Sequence, residues 1–133
     1  MSTRKEKAVE LFNQKHNCAQ SVFLSYCDLF NIDQETALKL TSGFGMGMAG
    51  LGETCGAINA SAMLIGLKYG DAGANKIIRN FIKDFNENHE SFHCRNLVAE
   101  PQPEIRGGSC RKCTNIVEEI CDLLEKYLGE EDG

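Results

Sequence analysis

The segment from Cys55 to Tyr69 constrains the fold most strongly, because it is apolar on nearly every side of a helix. Thr54 is a suitable N-cap in front of it, and Gly70 is a natural stop behind it. A helix that is apolar all round must be covered by other elements. The sequence therefore predicts a buried helix at the centre of a bundle. Its apolar residues are Ala57, Ile58, Ala60, Ala62, Met63, Leu64, Ile65 and Leu67.

The flanking segments have the patterns of the helices that would cover this one. Thr3, Asn17 and Asp33 are good N-cap residues, and each precedes apolar residues at helical spacing. The run that starts after Asn17 is expected to extend through Phe30, and residues 77–85 are strongly amphipathic. Two further helices are expected, one after each of two serines. A break rich in proline and glycine is expected between these two helices. These residues are Ser91, Ser109, Pro101, Pro103, Gly107 and Gly108.

No stretch of the sequence alternates between apolar and polar residues as a strand would. The predicted fold class is therefore all-α, a compact bundle of about five to seven helices with a central apolar helix. At 133 residues, the chain (1–133) is expected to form one domain, with residues 130–133 as a frayed tail.

Composition and charge narrow the range of partners. The chain is 42% hydrophobic and 25% charged, as is ordinary for a globular protein. A net charge of -5, without a stripe of Lys and Arg, argues against nucleic-acid binding. Neither an apolar leader nor a membrane-spanning run is recognisable, so a cytoplasmic protein without membrane insertion is expected. A homodimer is also expected, because symmetric dimers are common.

Five of the seven cysteines fall at predicted helix starts. A helix start presents unsatisfied N–H groups and a positive dipole end, which favour the thiolate over the thiol. The thiolate is the nucleophile and the metal ligand. Cysteines at helix starts are therefore candidates for a sulfur-based site, whereas Cys27 and Cys121 are predicted in mid-helix and expected only to pack. The five candidates are Cys18, Cys55, Cys94, Cys110 and Cys113.

Two further motifs bear on function. Cys110 and Cys113 form a CxxC pair, but thioredoxin-like chemistry would also need a strand in front of it. Gly45, Gly47 and Gly50 match the dinucleotide fingerprint, but a charged helical stretch precedes them instead of a strand. We interpret the role of these glycines as backbone flexibility, which allows the loop to position Cys55 at a crowded site.

Other polar residues give weaker signals. His93 adjoins Cys94 and is a candidate acid, base or fourth metal ligand. His16 and His89 are expected to be solvated. Glu53 lies two residues before Cys55 and is a candidate for tuning a proton or contacting a partner helix.

Several short motifs together resemble one family. They are Asn17-Cys-Ala-Gln-Ser-Val22, Thr41-Ser-Gly-Phe-Gly45, Gly52-Glu-Thr-Cys-Gly-Ala57, Gly66-Leu-Lys-Tyr-Gly70, Cys94-Arg-Asn-Leu97 and Cys113-Thr-Asn-Ile-Val117. Their order is similar to that in the C_GCAxxG_C_C family of redox-active proteins, which is named for a CGAxxG motif and four cysteines. The similarity covers nearly the whole chain. One departure is Ala60, which stands where the motif ends in glycine and bears on close helix packing.

The resemblance implies which cysteines form the site. The four family cysteines would be Cys18, Cys55, Cys94 and Cys113, and Cys110 would be an additional resolving cysteine or alternative ligand. Split-Soret-type cytochromes contain a similar module associated with an iron–sulfur centre. The resemblance therefore implies a redox-active protein and makes cluster binding an expectation.

Three hypotheses remain open from the sequence. The first is an iron–sulfur cluster, [2Fe–2S], used for electron transfer or redox sensing with an unidentified redox partner protein. The second is a metal-free thiol–disulfide protein in which either Cys110 and Cys113 or Cys18 and Cys55 form a reversible disulfide. The third is a zinc domain, since four thiolates suit tetrahedral zinc. The sequence assigns no enzymatic reaction.

Overall fold

The computed structural model describes residues 3–98 and 111–128. These ranges contain six α-helices and no β-strand, so the all-α fold class and the predicted number of helices are confirmed. An isolated antiparallel bridge joins Thr54 to His93. The helices are α1 (Arg4–Asn13), α2 (Cys18–Tyr26), α3 (Gln34–Thr41), α4 (Gly56–Phe85), α5 (Cys94–Val98) and α6 (Arg111–Leu128).

The predicted N-caps determine where the first helices begin. The Asn17 side chain accepts a hydrogen bond from the Gln20 amide, and the Gln20 side chain accepts one from the Asn17 amide. This capping box makes Cys18 the first residue of α2. Thr3 and Asp33 cap α1 and α3, as the sequence predicts.

Helix α2 is the most enclosed element in the described part of the chain. Every residue from Cys18 to Tyr26 is buried except Gln20, and α1, α3, α4 and α6 pack around it. Ser21 and Ser25 satisfy their buried hydroxyls by donating to carbonyls four residues earlier. The Tyr26 hydroxyl donates across to the Glu125 carboxylate of α6 at 2.7 Å. Apolar packing with internally satisfied polar groups thus holds the start of α2 in place.

The predicted apolar helix is present as the first half of α4. Its residues are largely buried as far as Ile65, whereas Leu67 and Tyr69 are partly exposed. Gly70 adopts φ 76° and ψ 177°, and this non-helical geometry kinks the run before it continues to Phe85. The predicted stop at Gly70 is therefore a break between two helical halves.

The predicted end of the second helix was wrong. The α-helix that was expected to reach Phe30 ends at Tyr26 and is followed by a 3₁₀ turn, Cys27–Phe30, which closes on Asn31 with left-handed φ 60°. Cys27 therefore lies at a helix junction instead of in mid-helix. Ser109, the prolines and glycines of the predicted chain break, Cys110 and the 130–133 tail lie outside the described residues.

None of the helices in the described ranges combines the length and the apolar character that a membrane span needs.

Candidate functional site: a cavity lined by cysteines

Three of the predicted cysteines meet at one small cavity. Cys18 is the first residue of α2, Cys55 is the N-cap of α4 and Cys94 is the first residue of α5. All three are nearly inaccessible to solvent, with exposed fractions of 8%, 5% and 8%. The cavity has a volume of about 10 Å³, which is the space of one water molecule. The rest of the described lining is Met46, Gly47, Gly56, Leu97 and Ile116.

The other two predicted cysteines are described less fully. Cys113 is the third residue of α6, one helical turn before Ile116, and Ile116 lines the cavity. The side chain of Cys113 and the whole of Cys110 lie outside the described residues. Their part in the site stays a prediction.

Backbone hydrogen bonds hold Cys55 and Cys94 in neighbouring positions. The Cys55 amide donates to the Phe92 carbonyl at 2.9 Å, and the Cys94 amide donates to the Glu53 carbonyl at 2.6 Å. These bonds flank the bridge between Thr54 and His93. Because Thr54 takes part in that bridge, α4 begins one residue later than predicted, and Cys55 occupies the N-cap position. The bridge thus brings together two segments that are distant in sequence.

Arg95 of α5 binds the end of the glycine-rich loop, residues 45–52. Its amide and its Nε both donate to the Gly52 carbonyl, at 3.2 and 3.1 Å. A terminal guanidinium nitrogen lies 3.0 Å from the Glu53 carboxylate. Both side chains of this ion pair are more than half exposed, so its Coulomb energy contributes at most about 1 kcal/mol. Glu53 is therefore a surface partner of Arg95, and it does not line the described cavity.

Two glycines allow the close packing that assembles the cavity. A Cβ built on Gly56 would lie 2.5 Å from the Phe44 carbonyl oxygen. A Cβ on Gly47 would lie 2.7 Å from the Cβ of Cys94, and Gly47 also has a positive φ of 74°. Side chains at these positions would displace the loop or the helix starts that carry the cysteines.

The loop around Gly47 has an uncommon backbone. Residues 46–50 all have positive φ, and three of them are not glycine: Met46 (51°), Met48 (67°) and Ala49 (51°). Backbone hydrogen bonds within the loop hold this conformation, including that from the Glu53 amide to the Gly47 carbonyl at 2.9 Å. Helix α3 and a 3₁₀ turn, Ser42–Phe44, precede the loop. It therefore lacks the strand that dinucleotide binding requires, in agreement with the sequence interpretation.

Cys27 and Cys121 belong to the core and not to the described cavity lining. Burial raises the pKa of Cys121 to about 12. Burial also raises the pKa of Cys27. Both side chains are therefore neutral thiols at neutral pH, which agrees with the packing role expected for them.

The histidines lie outside the described lining of the cavity. His93 stacks on Phe92 with ring centroids 4.8 Å apart, and its Nδ1 lies 3.2 Å from the Ser91 hydroxyl. The expectation that His89 is solvated was wrong. Its side chain is only 11% exposed, and its Nε2 lies 2.7 Å from the Glu119 carboxylate, because α6 packs over this end of the bundle.

The donor set can be compared with what a metal centre needs. Cys18, Cys55 and Cys94 offer only sulfur, the soft donor that iron–sulfur clusters and zinc take, among apolar neighbours. Among the described side chains, which do not include Cys113, no group of three or more Cys, His, Asp or Glu is spaced to hold a metal ion. The donor chemistry fits a cluster, but the cavity walls must move to admit one.

The fold and the cavity define a class of small all-α proteins with buried cysteines gathered at helix starts. Residues 16–127 match the family described as "Putative redox-active protein (C_GCAxxG_C_C)", and the chain belongs to this family. The matched range contains all the described cavity residues.

Other comparisons add little about function. A protein of Archaeoglobus fulgidus described as "Uncharacterized protein" is 36% identical over 55 residues. That match covers 41% of this chain and 36% of the relative, so the chain spans little more than a third of that protein. No solved structure matches the chain.

Proposed function

We propose that this redox-family protein uses Cys18, Cys55, Cys94 and Cys113 to hold a [2Fe–2S] cluster for electron transfer or redox sensing. The observation that carries the proposal is the convergence of three buried cysteines, from three separate helix starts, on one apolar cavity. Core-filling cysteines have no reason to share such a position, and Cys27 and Cys121 do not share it.

The residues around the cavity suit this role. The N-terminal ends of helices favour thiolates, which are the ligands that a cluster needs. Leu97 and Ile116 are 2% and 5% exposed and keep water from the thiols. Backbone bonds through Phe92 and Glu53 hold Cys55 and Cys94 in place without help from a metal. When bound, the cluster would supply a one-electron carrier, whose potential depends on burial and on hydrogen bonds to sulfur.

A second candidate function is reversible disulfide formation between two of these cysteines. The observation that favours it is the small volume of about 10 Å³, because a sulfur–sulfur bond needs less added space than a cluster. In that reaction a partner disulfide would accept two electrons and two protons, while two thiols of this chain form one disulfide. The partner in either case would be a redox protein. We place the protein in the cytoplasm as a dimer.

Purification without oxygen followed by metal and sulfide analysis tests the proposal. We expect iron, acid-labile sulfide and charge-transfer bands in the visible spectrum. Colourless protein without iron, together with failed anaerobic reconstitution, would refute the cluster. A thiol count that then falls by two after mild oxidation would establish the disulfide function instead. Stoichiometric zinc would contradict both candidates.

A further inference from the structure

Met46 has two properties that no other described residue of the cavity lining combines. Met46 lines the cavity, and it is 49% exposed to solvent. The cysteines, Leu97 and Ile116 are all at most 8% exposed. Among the described lining residues, Met46 therefore provides the contact between the cysteines and solvent.

The backbone holds Met46 at a defined distance from the site. Met46 has φ 51°, a left-handed conformation that costs a non-glycine residue about 1–2 kcal/mol. The next residue, Gly47, is buried so close to Cys94 that a Cβ would lie 2.7 Å from the Cβ of Cys94. The Met46 carbonyl also accepts a hydrogen bond from the Gly52 amide at 3.1 Å. Met46 is thus anchored beside Cys94 by strained but hydrogen-bonded backbone.

The loop that carries Met46 is apolar and uncharged. Residues 40–52 contain no Asp, Glu, Lys or Arg, although a quarter of the chain is charged. Met48 and Leu51 in the same loop are 44% and 66% exposed. The charged pair that flanks the loop, Glu53 and Arg95, is internally compensated. An approach to the cavity along this surface would be governed by size and polarity more than by charge.

We propose that Met46 is the gate of the cysteine site and determines which reagents reach Cys18, Cys55 and Cys94. Small uncharged oxidants, reductants or thiol reagents pass when the Met46 side chain swings outward, and bulky ones are excluded. The proposal rests on the proposed function, because the three cysteines behind Met46 are the redox groups of that function. The gating itself needs no cofactor.

Site-resolved alkylation tests the gate on reduced, full-length protein. Iodoacetamide forms a sulfur–carbon bond with a cysteine, iodide leaves, and the thiol proton passes to water. Peptide mass spectrometry then gives a rate for each cysteine. In Met46→Ala we expect the rates at Cys18, Cys55 and Cys94 to rise at least about tenfold, because access no longer waits for local opening.

The chain offers matched controls. Met48 is also exposed and also has a positive φ, but it does not line the cavity, so Met48→Ala should leave the three rates unchanged. Cys27 and Cys121 lie in the core and report global opening in the same samples. Unchanged rates at the three cavity cysteines in Met46→Ala would overturn the gate. Equal rises in Met48→Ala, or at Cys27 and Cys121, would overturn it as well.

Failure of the gate and failure of the cluster proposal give different results. If the purified protein contains iron, the rate at which a chelator bleaches the visible bands replaces alkylation as the readout. Faster bleaching in Met46→Ala than in Met48→Ala supports the gate, and equal rates refute it while leaving the cluster intact. Iron-free protein whose three cysteines become faster only in Met46→Ala refutes the cluster and retains the gate.

Discussion

Gly56 lies so close to Phe44 that a Cβ on the glycine would stand 2.5 Å from the phenylalanine carbonyl oxygen. The same Cβ would lie 3.3 Å from the amide nitrogen of Ala19, the residue after Cys18. The start of α4, with Cys55, is therefore pressed against the start of α2, with Cys18. The glycine that follows Cys55 is a packing requirement of the site, since any side chain there would displace the Phe44 carbonyl and crowd the start of α2.

Gly56→Ala should lower the free energy of unfolding by about 1–3 kcal/mol, because the new methyl meets backbone that cannot yield easily. The matched control is Gly66→Ala in the same helix, where a Cβ would meet nothing within 4 Å. That change should stabilise the protein by up to about 1 kcal/mol through helix propensity. Urea denaturation of both variants measures the difference. Equal effects would show that close packing at Gly56 is absent.

Gly47→Ala and Gly50→Ala separate backbone strain from contact with the site. Both glycines have nearly the same φ, 74° and 76°, but only a Cβ on Gly47 meets Cys94 and the Glu53 amide. In both variants the left-handed backbone should lower the free energy of unfolding by about 1–2 kcal/mol. Gly47→Ala should in addition change the alkylation rate of Cys94, as read by peptide mass spectrometry. If Gly50→Ala changes that rate equally, strain alone is responsible.

Stability should fall at alkaline pH partly through Cys121. Burial raises the pKa of this thiol from 9.0 to about 12, so the folded state favours the neutral form. The stabilisation is complete below pH 9, where the unfolded thiol is also neutral, and is lost as pH rises from 9 towards 12. Cys121→Ala should therefore lose less stability than wild type between pH 8 and pH 10. Parallel denaturation curves for the two proteins across this interval would contradict the assignment.

Local sequence signals predicted the helix starts well. The Asn17–Gln20 box is a short-range hydrogen-bond pattern, so the position of Cys18 could be read from the sequence. The apolar run after Cys55 likewise predicted a buried helix, and α4 is largely buried as far as Ile65, because a helix that packs on most sides needs apolar residues on most sides. These two signals, with the family resemblance, also selected Cys18 and Cys55 as candidates.

Other features of the site leave no such trace. The bridge between Thr54 and His93 consists of backbone contacts between distant segments, and backbone hydrogen bonds do not depend on residue type. The exposure of Met46 beside the cavity depends on the positive φ values of the loop, which glycines permit without specifying. The pairing of His89 with Glu119 arises from tertiary packing of α6, which no local pattern around His89 encodes.

The most direct test of the central claim compares six single cysteine-to-serine variants purified without oxygen. Iron, sulfide and the visible bands should be lost in Cys18→Ser, Cys55→Ser, Cys94→Ser and Cys113→Ser. They should persist in Cys27→Ser and Cys121→Ser, which remove core thiols and lower only stability. Loss of the bands in Cys27→Ser, with retention in Cys18→Ser, would contradict the account that the cysteines at helix starts form the redox site.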